Sequence, residues 1–213
     1  MTARGLFIVL EGSEGSGKST LHGALAARMR EAGVDPVVVR EPGATRAAEL
    51  ARQALLDPEH TLGPVSELFF YLAARADLVQ QVIRPALEAG RVVISDRFSM
   101  STEAYQMAGR GLPPGVVLPA NRAATGGLVP DLTLVLDLPP EVGQARQVAS
   151  GKRLDRLDRE SADFHRRVID FYLAVGGEGV RHLDGCLPPD RLLQAAWEEV
   201  VAAAPERFAA VTG

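Results

Sequence analysis

A chain of 213 residues suits one α/β domain with small insertions better than two independent domains. Hydrophobic residues make up 46% and aromatics only 5%, so a core would be filled mostly with Val, Leu and Ala. The formal net charge of −4 argues against a protein that coats nucleic acid electrostatically, and any bound phosphate must be met by a local cluster of Arg and Lys. No apolar stretch approaches the ~20 residues needed to cross a bilayer. The apolar run Leu6–Leu10 is broken by Glu11 and Gly12, unlike a secretion signal. The lone cysteine, Cys186, excludes an internal disulfide and is expected to be a small buried residue in a reducing cytosol. The expectation is a soluble, cytoplasmic protein with neither a nucleic-acid nor a membrane partner.

Strands and helices alternate along the chain. Leu6–Glu11 is a short continuous apolar run, the mark of a strand buried on both faces. A Gly-rich turn follows, then a helix with Leu21, Leu25 and Met29 on one face, closed by Gly33. Val37–Arg40 reads as a second strand, and the helical stretch Ala47–Leu56 stops at Asp57 and Pro58. One long helix is expected from about Val65 to Gly90, with Leu68, Leu72, Val79 and Ile83 spaced for burial and a kink at Pro85. The stretch Gly109–Pro130, rich in Gly and Pro, yields no element. Arg91–Ser95, Asp131–Leu138 and Val180–Leu183 read as further strands. Two helices complete the chain, one with Phe164, Val168, Phe171 and Val175, the other with Leu192, Leu193, Ala196, Trp197 and Val200. This alternation implies a parallel sheet with helices on both faces and ligands beyond the carboxyl ends of the strands.

The sharpest local signal is Gly12-Ser13-Glu14-Gly15-Ser16-Gly17-Lys18-Ser19, which matches G-x-x-x-x-G-K-[ST] between a buried strand and an amphipathic helix. Glycines let the backbone wrap so that successive N–H groups and the helix N-terminus point at phosphates. Lys18 would reach the β- and γ-phosphates, and the Ser19 hydroxyl would bind Mg²⁺. The pattern calls for ATP or GTP. A GTPase would read guanine with N-K-x-D, but Asn121 is followed by Arg122, Ala123 and Ala124.

Spaced arginines point elsewhere: Arg40, Arg52, Arg75 and Arg97 in the first half, then Arg146, Arg153 and Arg156. A kinase acting on a nucleotide brings a triphosphate against an acceptor phosphate that carries about −1.5 to −2 at neutral pH. Guanidiniums and Mg²⁺ must neutralise that repulsion. An ionised phosphate is already a nucleophile, so the lack of an obvious catalytic His or Asp favours a phosphate acceptor over a sugar hydroxyl.

At this point the residues resemble the thymidylate kinase family along nearly the whole chain. The motifs in order are LEGSEGSGKST (Leu10–Thr20), REPGAT (Arg40–Thr45), ELFFYLAAR (Glu67–Arg75), IRPAL (Ile83–Leu87) and ISDRFSMSTEAYQ (Ile94–Gln106). GRG (Gly109–Gly111), PDLTLVLDLPPEVG (Pro130–Gly143), RLDRLDRES (Arg153–Ser161) and FHRRV (Phe164–Val168) follow. The resemblance implies the P-loop nucleoside monophosphate kinase fold, an α/β five-stranded parallel sheet with helices on both faces. It implies a single domain over residues 1–213 with a small mobile lid at about 146–160, and a homodimer that makes thymidine diphosphate from thymidylate and Mg·ATP.

Family roles map onto matching positions. ATP would be held by Gly12, Ser13, Glu14, Gly15, Ser16, Gly17, Lys18, Ser19 and Thr20, with Arg146 against adenine. Arg52 and Arg97 resemble the arginines on the acceptor phosphate, with Arg40 on the same side. Asp96 resembles the carboxylate that orders the waters of Mg²⁺ beside Ser19. Arg75 resembles the thymine reader, since its donors suit O4 of thymine but would meet the amino donor of cytosine. Tyr71 would stack on the base, Thr102 and Gln106 would contact it, Tyr105 would crowd the sugar C2′, and Glu14 would accept from the 3′-OH. Gly15 stands where one branch of the family has an arginine, so the transition-state charge is expected from lid residues Arg153 and Arg156, which join Lys18 and Arg97 as catalytic groups. Met107 and Ala44 stand where the family usually has glycine. Two alternatives stay open: a kinase for another pyrimidine monophosphate, and a P-loop nucleotide-binding protein without catalysis.

Overall fold

A computed structural model describes residues 4–151 and 155–208. Five strands, β1 (Leu6–Gly12), β2 (Val37–Arg40), β3 (Val92–Asp96), β4 (Leu132–Asp137) and β5 (Val180–Asp184), form one sheet in the order β2-β3-β1-β4-β5. Every pairing is parallel. All seven residues of β1 are buried, and its alternation divides Leu6 to Leu10 between two cores. Leu6, Ile8 and Leu10 face one side with α1 (Lys18–Glu31) and α9 (Pro189–Ala203), through Leu21, Leu25, Met29, Ala196 and Trp197. Phe7 and Val9 face the other with Leu78, Val79 and Ile83. Each such side chain, fully buried, stabilises the fold by about 1.5–3 kcal/mol, which explains why the central strand is an unbroken apolar run.

The remaining helices are α2 (Arg46–Leu56), α3 (Pro64–Leu78), α4 (Arg84–Glu88), α5 (Ser99–Thr102), α6 (Pro114–Thr125), α7 (Pro140–Ser150), α8 (Ala162–Ala174) and α10 (Pro205–Phe208). Between α3 and α4 the chain stays helical through a π turn, Val79–Ile83, just before Pro85. Pro85 has no N–H, and in a regular helix its ring would meet the carbonyl four residues back. The wider turn relieves this: the Arg84 N–H reaches back to the Val79 carbonyl. A second π stretch, Glu103–Gly109, continues α5.

The Gly- and Pro-rich stretch that yields no element from sequence contains α6. Pro114 opens it and Gly126, at φ 57°, closes it, which is the usual asymmetry of helix ends. Its buried face is Val117, Asn121 and Thr125, two of them polar, and Pro119 sits inside it, so the apolar period is hidden. Cys186 is exposed, contrary to the expectation of burial. No helix among the described residues is long and apolar enough to cross a membrane.

Candidate active site

The carboxyl ends of β1, β2 and β3 open onto a cleft of about 480 Å³. Its walls include Glu14, Gly15, Gly17, Lys18, Ser19, Thr20, Arg40, Arg52, Tyr71, Arg75, Asp96, Arg97, Thr102, Tyr105, Gln106 and Arg146. Gly12, Ser13 and Ser16 are buried and do not line the cleft. The sheet thus gathers residues from positions 14 to 157 into one space.

At the donor end, Gly17 adopts a left-handed φ of 92° immediately before α1 and turns the loop back over the helix N-terminus. Lys18 folds over this loop, and its Nζ donates to Gly12 O at 2.9 Å, Ser13 O at 2.7 Å and Ser16 Oγ at 3.2 Å. Burial, then the nearby Arg97 charge, lowers the Lys18 pKa to about 8, while Glu14 pulls it the other way. Ser19 Oγ donates to Asp96 Oδ2 at 2.9 Å, joining the start of α1 to the end of β3. A hydroxyl and a carboxylate are hard oxygen donors, and this pair fits a Mg²⁺ ion held mainly by substrate phosphates and water.

Gly15 is required for a different reason. A Cβ there would lie 2.5 Å from Gly143 O and 2.9 Å from Gly143 Cα, and φ is already 77°. No side chain fits at this point of the loop while α7 stays where it is.

At the acceptor end, Arg97 follows β3 with a left-handed φ of 75°. Such strain in a non-glycine residue persists only where surroundings over-determine it. Here the Arg97 N–H is tied to Leu10 O at 2.9 Å, Nη2 donates to Glu14 Oε2 at 2.6 Å and Tyr105 Oη at 3.2 Å, and Nη1 donates to Gly12 O at 3.2 Å and Ser101 Oγ at 3.1 Å. Arg52 Nη1 donates to Pro42 O at 3.0 Å, and the half-exposed Arg40 pairs with Glu49 at 2.8 Å.

Arg75 is 1% exposed, and its guanidinium makes four hydrogen bonds and an ion pair. Nε and Nη2 meet Glu41 Oε2 at 2.7 Å, Nη1 meets Thr102 Oγ1 at 2.5 Å and Asn121 Oδ1 at 2.7 Å, and Nη2 meets Phe98 O at 2.9 Å. Gln106 Nε2 donates to Glu67 Oε1 at 2.9 Å. Met107 turns away from the cleft and packs with Leu68, Leu72 and Val117.

The lid residues divide. Arg146 Nη1 donates to Gly185 O at 2.8 Å and Gly15 O at 3.4 Å, on the cleft wall. Arg153 lies outside the described residues. Asp155 and Leu157 line the cleft, but Arg156 between them does not. Its Nε donates to Leu55 O at 2.9 Å, and Nη1 pairs with Glu67 Oε2 at 2.7 Å. Arg156 Nη2 is buried without a hydrogen-bond partner among the described residues.

Sequence reasoning missed the acids that hold these groups. Glu11, fully buried, accepts from Phe98 N at 2.9 Å, Ser101 N at 3.1 Å, Ser101 Oγ at 2.6 Å and Tyr172 Oη at 2.9 Å, and so anchors the start of α5 next to Arg97. A carboxylate inside an apolar strand was the available signal. Glu67, Tyr71 and Arg75 recur every four residues on one face of α3, which marks the acid as inward-facing.

A phosphate cradle at the end of β1, an acid and an arginine at the end of β3, and a pocket lined by Tyr71, Arg75, Thr102 and Gln106 define a P-loop phosphotransferase of the nucleoside monophosphate kinase class. A family profile for thymidylate kinase matches residues 10–189. Among similar proteins, the thymidylate kinase of Thermomicrobium roseum is 48% identical over 197 residues, covering 91% of this chain and 93% of its own. That of Ectopseudomonas mendocina is 50% identical over 179 residues, covering 84% and 85%, and that of Deinococcus radiodurans 43% over 201, covering 93% and 97%. The chain belongs to the thymidylate kinase family.

Proposed function

We propose that this chain transfers the γ-phosphoryl group of ATP to the 5′-phosphate of thymidine 5′-monophosphate, giving thymidine diphosphate and ADP on the route to dTTP. The observation that carries this reading is the meeting of Lys18, Ser19, Asp96 and Arg97 at one point of the cleft, with Thr102 and Gln106 at its far end. Phosphates of both substrates would meet beside Arg97, and a pyrimidine would lie toward Gln106.

In this reading Gly12 to Thr20 cradle the ATP phosphates, Lys18 neutralises the β- and γ-oxygens, and Arg146 borders the adenine side. Ser19 and Asp96 would hold Mg²⁺, which supplies charge neutralisation at the phosphates. Arg97 and Arg52 bind the acceptor phosphate, Arg40 stands on the same side, and Glu14 and Tyr105 face the deoxyribose. Tyr71, Arg75, Thr102 and Gln106 form the base pocket, with Arg75 as the reader of the thymine O4. Arg153 and Arg156, on a lid over about 146–160 within a single domain, would deliver charge in the transition state, Arg156 after leaving Glu67.

We further infer a cytoplasmic homodimer. Support for the dimer comes from α3, where Val65, Phe69 and Phe70 form an exposed apolar stripe, Phe69 at 58% exposure. Burial of such a stripe against a second copy removes a patch that a monomer rarely leaves in water.

The test is ADP release in a coupled assay across a panel of nucleoside monophosphates. Turnover is expected with thymidylate above all others. A preference for uridylate or cytidylate would transfer the reading to another pyrimidine kinase, and no ADP with any acceptor would leave only a nucleotide-binding protein.

A further inference from the structure

We propose that Glu67 determines which pyrimidine the acceptor pocket accepts, by fixing the polarity of the Gln106 side-chain amide. The inference rests on the reading of the cleft as a pyrimidine monophosphate site and goes on to the origin of its base selectivity.

Glu67 is fully buried, and its two oxygens receive three hydrogen bonds and an ion pair from Arg156. Gln106 Nε2 and Arg110 Nε meet Oε1 at 2.9 and 3.0 Å, and Arg110 Nη2 and Arg156 Nη1 meet Oε2 at 2.8 and 2.7 Å. Burial alone would raise the pKa of this carboxyl, but Arg110, Gln106 and Arg156 together hold it below the ordinary carboxylate value. Glu160, 2.6 Å from Arg110, keeps that guanidinium in place from the other side. An ionised carboxylate accepts hydrogen bonds and donates none.

The consequence passes to Gln106. An amide has one donating end and one accepting end, and only the NH₂ end can face Glu67. A flipped amide would set two oxygens against each other in a buried site, with one of them left unsatisfied. Oε1 is therefore the end turned to the cleft that Gln106 lines, and it accepts no hydrogen bond among the described residues.

One helical turn earlier, Thr102 is polarised in the opposite sense. Its Oγ1 accepts from Arg75 Nη1 at 2.5 Å, and a guanidinium offers no lone pair in return. The Thr102 hydroxyl hydrogen is thereby turned away from Arg75, as a donor beside the Gln106 acceptor. Thymine and uracil present an N3–H donor next to the O4 acceptor, which this pair complements. Cytosine presents an N3 acceptor next to an N4 amino donor, and both contacts are reversed. Arg75, on the cleft wall, polarises Thr102, while Glu67, which does not line the cleft, acts by orienting Gln106 and is a positioning residue.

The experiment compares kcat/KM for thymidylate and deoxycytidylate in the full-length enzyme and its variants. Glu67→Gln keeps the size of the side chain but offers both a donor and an acceptor, so Gln106 is free to turn. The thymidylate-to-deoxycytidylate ratio is expected to fall about ten- to a hundredfold, the range for losing a polar match worth roughly 1–3 kcal/mol. Most of the loss of thymidylate use should lie in KM. Glu67→Asp, which still only accepts, should keep the ratio even where turnover drops. A merely structural role would depress both acceptors alike, and an unchanged ratio in Glu67→Gln overturns the proposal. Should that variant not fold, Gln106→Leu decides: it removes the acceptor and leaves Glu67 with its arginines, and a wild-type ratio there overturns the proposal as well. A wild-type enzyme that phosphorylates no pyrimidine monophosphate overturns the functional reading itself and this inference with it. A thymidylate-selective wild type with an unchanged Glu67→Gln ratio overturns the inference alone.

Discussion

Arg97 and Glu14 face each other across the cleft as an ion pair of 2.6 Å, one from the end of β3 and the other from inside the phosphate cradle. The carboxylate holds the guanidinium in the place where the acceptor phosphate would arrive. Replacement of Arg97 by alanine should therefore cost acceptor use and spare the donor. A charge-assisted contact of this kind is worth about 2–5 kcal/mol, and kcat/KM for thymidylate should fall by the corresponding factor, about thirtyfold or more. ATP affinity, measured by titration, should stay close to wild type. Unchanged thymidylate kinetics in a folded Arg97→Ala enzyme would exclude Arg97 as the phosphate clamp.

Lys18 makes nucleotide binding sensitive to pH. With its pKa lowered to about 8, part of the Lys18 population is neutral in mildly alkaline solution. An incoming triphosphate favours the charged ammonium and raises that pKa again. Binding should therefore take up a proton above about pH 8 and almost none at pH 7, where Lys18 is already charged. ATP affinity should weaken as pH rises through that value. Calorimetry at pH 8.5 in two buffers of different ionisation enthalpy reads the uptake directly, and Lys18→Met should abolish it. Equal heats in the two buffers would contradict the assignment.

Arg156 is held by Glu67 and Leu55 O, so its removal should be felt twice. Loss of a buried charged hydrogen bond should lower stability by about 1–3 kcal/mol, visible in thermal melting. If Arg156 swings to the phosphates during the reaction, kcat should also fall with little change in either KM, because a contact made only in the transition state is lost. Steady-state kinetics of Arg153→Ala, Arg156→Ala and the double variant separate the two effects. Wild-type kcat in the double variant would remove the lid from the chemistry.

Ala44 sits at φ 71°, a conformation that glycine adopts freely and alanine does not. Relief of that strain in Ala44→Gly should stabilise the protein by about 1 kcal/mol, or about 2–4 °C in melting temperature for a chain of this size. A lower melting temperature would mean that the wild-type loop is not strained.

The sheet was legible in the sequence because its central strands are buried on both faces and appear as apolar runs, and the cradle because its residues are consecutive. What stayed hidden has physical reasons. Helix α6 buries Asn121 and Thr125 and contains Pro119, so it lacks an apolar stripe. The π turns at Val79–Ile83 and Glu103–Gly109 depart from the 3.6-residue period on which sequence patterns rest. The positions of the site arginines near strand ends could be read, but their partners could not. Arg75 meets Glu41 34 residues away, and Arg156 meets Leu55 101 residues away. Spacing in sequence carries no record of such meetings, and so the direction in which Arg156 points was out of reach.

The contact between Gly15 and Gly143 also bears on how the cradle can change by mutation. A side chain at Gly15 would strike the backbone of Gly143, and a side chain at Gly143 would come within 2.9 Å of Glu14 O. Substituting either glycine alone is therefore disfavoured, whichever is tried first. An arginine can enter the cradle at position 15 only after the start of α7 has drawn back, and that displacement also carries Arg146. The two ways of supplying positive charge, from the loop or from the lid, are thus separated by a valley of poorly fit intermediates that a lineage crosses only by several coordinated replacements.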